Sequence, residues 1–81
     1  MSRRTPESFV VLGFATTHAA LAAERLLLDI GVPVTPIPAP KGLGQLCGIA
    51  LRLAPADAVR AEGALANADI APKARTTMTD V

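Results

Sequence analysis

One cysteine and one histidine occur in the 81 residues, Cys47 and His18. They are the side chains best suited to covalent or proton chemistry near neutral pH. Cys47 lies in "GLGQLCGIALRL", where Gly42, Gly44 and Gly48 give a pliable approach and a short apolar run follows. A lone thiol cannot close an internal disulfide, and one Cys with one His is too small a set to hold a metal within one chain. One reading of what remains is a nucleophilic thiol. The other reading of Cys47 is a small buried hydrophobe without reactivity. His18 is likewise either a solvated first-turn residue or a proton partner for the thiol. Thr16 and Thr17 read as helix caps. Lys41 is a surface cation near enough in sequence to steer an anionic cargo.

Positioning these residues requires a scaffold, and its elements are legible. "FVVLGFA" (9–15) is a β-branched and aromatic run that predicts a strand, with Val10, Leu12 and Phe14 on one face and Phe9, Val11 and Gly13 on the other. "TTHAALAAERLLLDIG" predicts a helix capped by Thr16 or Thr17 and closed by Gly31. His18, Ala22, Arg25 and Asp29 form its polar stripe. Ala20, Ala23, Leu27 and Ile30 form its apolar side, widened by Leu21 and Leu28.

"VPVTPIPAP" (32–40) carries four prolines in nine residues. Pro36, Pro38 and Pro40 share one parity, so an edge strand over 32–37 turns every missing N–H away from its neighbour. A polyproline-like stretch is the alternative. "IALRLA" (49–54) predicts a strand with Ile49, Leu51 and Leu53 inward and Ala50 and Arg52 outward. "PADAVRAEGALANAD" (55–69) predicts a second helix, with Pro55 and Asp57 suited to its first turn and Gly63 in its interior. "IAPKARTTM" (70–78) predicts a closing strand.

The resulting β-α-β-β-α-β order, with right-handed crossovers, specifies an α+β ferredoxin-like sandwich: four antiparallel strands with both helices on one face. The expected strand order 4-1-3-2 places the proline-bearing strand at an edge. It also brings the start of the third strand, and Cys47 before it, to the N-terminus of the first helix. There the free N–H groups and the helix dipole favour a thiolate, in settings that lower a Cys pKa from about 8.5 into the range of about 3.5–7.5. Thr16, Thr17, His18, Lys41 and Gly48 are the expected surroundings of that sulfur.

Composition narrows the function. Eight Lys and Arg against seven Asp and Glu leave no electrostatic footprint for nucleic acid, and strand 49–54 has no aromatic stacking platform for RNA. The apolar runs are interrupted by charge, and "MSRRTPES" followed by a short apolar run does not read as a secretory leader. A cytoplasmic protein without membrane insertion is expected. Residues 1–7 and 79–81 are expected to be tails around a single domain over 8–78. With two aromatic residues the core is thin, so a homo-oligomer or a place in a larger complex is a natural expectation. No cofactor is called for.

Two stretches, "TTHAALAAERLLLDIGVPVTPIPAP" and "CGIALRL", resemble the selenium/sulfur carrier protein-like family of small bacterial and archaeal proteins. The shared pattern is a Thr-Thr-His helix start, Ala-Glu in mid-helix, Gly-Val/Ile-Pro, Pro-x-Pro, then Cys-Gly-x-Ala-Leu-Arg. It spans about residues 8–78. The resemblance implies that Cys47 carries sulfur or selenium as Cys–S–S⁻ or Cys–S–Se⁻, supplied by a cysteine desulfurase or a selenium-handling enzyme. This chain departs from the family pattern just before the Cys, where Gly44-Gln45-Leu46 replaces a Ser-rich approach. The competing expectation is a small regulatory or assembly module, binding an enzyme or metabolite, in which Cys47 is structural. A stand-alone enzyme is the weakest reading, since no carboxylate pair, phosphate loop or nucleophile–His–acid set is present.

Overall fold

The computed structural model of the chain describes residues 7–40 and 48–80. The order is β1 (Glu7–Gly13), α1 (Thr17–Asp29), β2 (Thr35–Pro38), β3 (Ile49–Leu53), α2 (Pro55–Asn67) and β4 (Ala74–Asp80). The strands form one antiparallel sheet in the order β2-β3-β1-β4, the ferredoxin-like arrangement. No helix among the described residues is long and apolar enough to cross a membrane.

Both helices seat on the sheet through the same device. α1 buries Ala20, Ala23 and Leu27, and α2 buries Ala58, Ala61 and Leu65, with identical 3 and 4 spacings. Two alanines followed by a leucine let the helix backbone approach the sheet closely and then fill the widening gap. Beneath them lie Val10, Leu12, Phe14, Leu51 and Leu53, so the core faces one side of the sheet only. Each fully buried Leu, Val or Phe contributes about 1.5–3 kcal/mol, which is how an aromatic-poor chain closes a core at all.

The helices also end alike. In α1, Val32 N–H donates to the Leu27 carbonyl and Gly31 N–H to that of Leu28. In α2, Ile70 and Asp69 donate to Leu65 and Ala66. Each pair satisfies carbonyls that the helix leaves open, and the apolar residue that follows packs back. Gly31 sits at φ +84°, where glycine is at ease, whereas Asp69 holds φ 64° with a side chain.

This closure explains why β2 begins at Thr35 and not at 32. Val32 is spent on ending α1 and is fully buried there, so the chain becomes free to pair only after Pro33. Within β2 the proline parity holds. Ala39 N–H donates to the Gly48 carbonyl, and by alternation Ile37 with Ala50 and Thr35 with Arg52 are the pairs that exchange backbone bonds. Pro36 and Pro38 therefore turn their bare nitrogens outward from the sheet edge.

Some expectations need correction. Leu21 and Leu28 do not widen the buried side of α1; both are 52% exposed, because the contact stripe is only as broad as Ala20, Ala23 and Leu27. Ala50 faces away from the helices as expected, yet it is fully buried between Gly13 and Ile37. Arg52 is more than a solvated cation: its guanidinium lies over the Phe9 ring, 3.9 Å from the centroid. Its stem starts opposite Val11, which the same face buries completely. β4 also starts later and runs further than 70–78, because the α2 closure and the Pro72 region take up residues 68–73.

Two glycines separate conformational cost from steric cost, since a Cβ at either would meet nothing within 4 Å. Gly31→Ala is expected to lower stability by about 1–2 kcal/mol through left-handed strain alone. Gly63→Ala, inside α2, is expected to raise it by about 1 kcal/mol. Urea unfolding of both variants checks this; a shift of the same sign in both would contradict it.

Candidate functional site

The antiparallel register decides which residues meet at one end of the sheet. Gly13 pairs with Ala50, so the residues after Gly13 and those before Ala50 leave the sheet side by side. Beyond Gly13 the chain turns into α1. Beyond Ala50, toward the N-terminus, stands Gly48, at φ +100° and exposed. The bond from Ala39 N–H to the Gly48 carbonyl, 2.9 Å, closes the base of the segment joining β2 to β3. Lys41 and Cys47, the two expected site residues within that segment, lie outside the described residues.

Thr16 is the cap of α1. It has extended backbone (φ −132°, ψ 153°), and its Oγ1 accepts from the Ala19 N–H at 3.0 Å. Its carbonyl accepts the first helical bond, from Ala20 N–H at 3.1 Å. The capping oxygen is thus engaged, while its hydroxyl proton is available to another acceptor. Thr17 and His18 occupy the first two helical positions, where N–H groups have no intrahelical partner, and both residues are exposed. The His18 side chain shares a shallow hollow with Leu21, Ala22 and Arg25 on the outer stripe of α1. This is the solvated placement that the polar stripe implies.

The electrostatics of the two helix starts differ. α2 carries Asp57 in its first turn, a carboxylate that offsets the positive end of its dipole. α1 has no acidic residue in its first turn. A sequence-based reading also misses Lys73. Its backbone N–H donates to the Gly13 carbonyl at 2.7 Å, which brings the entry of β4 to this same end of the sheet. The signal was available in the topology, since a fourth strand antiparallel to β1 must begin where β1 stops. Thr16, Thr17, His18, Gly48 and the Lys73 backbone therefore lie at one end of the sheet, with a helix start whose first turn carries no acidic residue.

Among known proteins, the family described as "Putative Se/S carrier protein-like" matches residues 9–75. This covers most of the chain, and the chain belongs to that family. No curated protein and no solved structure matched it.

Because Thr16 and not Thr17 caps α1, the two hydroxyls are unequal. Thr16→Ala is expected to cost about 1 kcal/mol of stability, and Thr17→Ala less than about 0.5 kcal/mol. Denaturant titration of the two variants distinguishes them, and equal losses would argue against the assignment.

Proposed function

We propose that this member of the Se/S carrier protein-like family carries a zero-valent sulfur or selenium atom on the thiol of Cys47. The observation that supports this reading most is the N-terminus of α1, with no acidic residue in its first turn, at the same end of the sheet as Gly48. Gly48 follows Cys47 directly, so one trans peptide holds the two Cα atoms about 3.8 Å apart. Free N–H groups and a helix dipole at that end stabilise a thiolate over a thiol, and the thiolate is the form that attacks. Thr16, Thr17 and His18 supply hydrogen-bond donors at the start of α1. Gly48 leaves the main chain beside the sulfur without side-chain bulk.

The transfer balances without an external oxidant. The Cys47 thiolate attacks the terminal sulfur of a persulfide on a donor enzyme, of the cysteine desulfurase type. A new S–S bond forms at Cys47 as the donor's S–S bond breaks. The electron pair of the broken bond leaves on the donor cysteine, released as its thiolate. The product, Cys47–S–S⁻, keeps the cargo atom at the zero-valent level. Selenium follows the same course from a cysteine-bound selenium on a selenium-handling enzyme. Free selenide would require loss of two electrons, so a protein-bound donor is the fitting source. The next protein's thiolate or acceptor then takes the outer atom, and Cys47 returns as a thiolate. A single cysteine suits this role, since an adjacent thiol would release the cargo by forming a disulfide.

Incubation with a cysteine desulfurase and free cysteine is expected to add one sulfur to the intact mass, reversibly by dithiothreitol. In the Cys47→Ser variant the addition is expected to vanish. In parallel, the pH at which Cys47 alkylation reaches half its maximal rate is expected well below the ordinary thiol value of about 8.5. An adduct that survives Cys47→Ser, or an ordinary alkylation profile together with no adduct, would overturn the reading.

A further inference from the structure

The two edges of the sheet are built differently. β2 offers a short edge whose outward positions are Pro36 and Pro38, which have no N–H to give. β4 offers seven residues, Ala74–Asp80, with no proline and with three threonines. The backbone bookkeeping that orients β2 propagates across the sheet. Ala50 and Arg52 bond toward β2, so Leu51 and Leu53 bond toward Leu12 and Val10 of β1. Phe9, Val11 and Gly13 then bond toward Met78, Thr76 and Ala74. Arg75, Thr77 and Thr79 are left with N–H and C=O groups pointing outward, where no described residue pairs with them.

We propose that this edge pairs with β4 of a second copy of the chain, joining two sheets into one of eight strands. A two-fold axis at Thr77 makes the strand complementary to itself. Thr77 then faces Thr77 of the second copy, and Arg75 faces Thr79 in both directions, each of these pairs exchanging backbone bonds. On the other face Thr76 meets Met78. No like charges stand opposite each other, and the central Thr–Thr pair is of a kind that stabilises neighbouring strands. Arg75 is held back toward α2 by its ion pair with Glu62, 3.0 Å, which keeps a long cation from blocking the edge. The axis is perpendicular to the sheet, so the helices of both copies stay on one face and the ends that carry Gly48 remain outside the junction. Such an isologous contact is closed: β2, the edge left at each end of the joined sheet, is the one capped by proline, so growth stops at two chains. This inference is independent of the carrier reading, because Thr16, Thr17, His18, Lys41, Cys47 and Gly48 take no part in the pairing it describes.

Thr77 allows a selective test. Its N–H is not used within the chain, so Thr77→Pro removes an intermolecular donor without breaking the β1–β4 ladder; Thr77→Lys places a charge against its own copy at the axis. Light scattering from micromolar to millimolar concentration is expected to approach twice the 8.3 kDa chain mass for the unaltered protein. Both variants, with unchanged circular dichroism, are expected at the single-chain mass over the same range; if Thr77→Pro does not fold, Thr77→Lys decides. In the dimer the amides of Arg75, Thr77 and Thr79 are expected to exchange with solvent as slowly as those of Thr76 and Met78. A single-chain mass at every concentration would overturn the proposal. A dimer that survives Thr77→Lys, or whose Arg75, Thr77 and Thr79 amides exchange fast, would also overturn it, since pairing would then run through another surface.

Discussion

The antiparallel pairing of Gly13 with Ala50 is the constraint from which the rest of this molecule follows. It sets the parity of every backbone hydrogen bond in the sheet, and so decides that the prolines of β2 face solvent. It aligns the turn into α1 with the approach to β3, which gives one end of the sheet its chemical character. It also brings Arg52 opposite Val11 and within reach of Phe9, sealing the face that no helix covers. A slip of one residue would turn Leu51 and Leu53 out of the core and bring Arg52 into it. The hydrophobic pattern therefore holds the register far more firmly than the backbone bonds alone.

Both halves of the chain solve the same packing problem with the same residues. An alanine pair and a leucine bring each helix down on the sheet, and an apolar residue after the helix turns back over that leucine. The halves differ where their surroundings differ. α1 is capped by a side chain and has no acid in its first turn, while α2 starts from Ala54 and Pro55 with Asp57 in place. The asymmetry leaves α1 without an acid in its first turn at the candidate site and gives α2 one, Asp57, at the opposite end of the sheet.

Much of this is legible from residue types. The β-α-β-β-α-β order, a threonine cap at residue 16 or 17, the closure at Gly31 and the edge position of the prolines all rest on local rules, because period, capping and missing N–H groups act within a few residues of their cause. Other features are not local. The spacing of Leu21 and Leu28 matches a buried stripe, but the width of the contact depends on how near the sheet lies, and small alanines narrow it. Ala50 alternates as a solvent-facing residue and is nonetheless buried, because its cover comes from neighbours on other strands. The presence of Lys73 at the site end follows from strand direction, which no stretch of eight residues contains.

The division is one of range. The residues themselves settle which segments become helix or strand, which face of each is apolar and which edge cannot accept another strand. Those properties are carried by side-chain shape, spacing and backbone donors within one element. Folding in three dimensions settles which ends converge, what lies over Val11, and which edge is left with free donors. Those properties depend on the pairing of segments tens of residues apart, where a single register selects one set of neighbours from many that the same pattern allows.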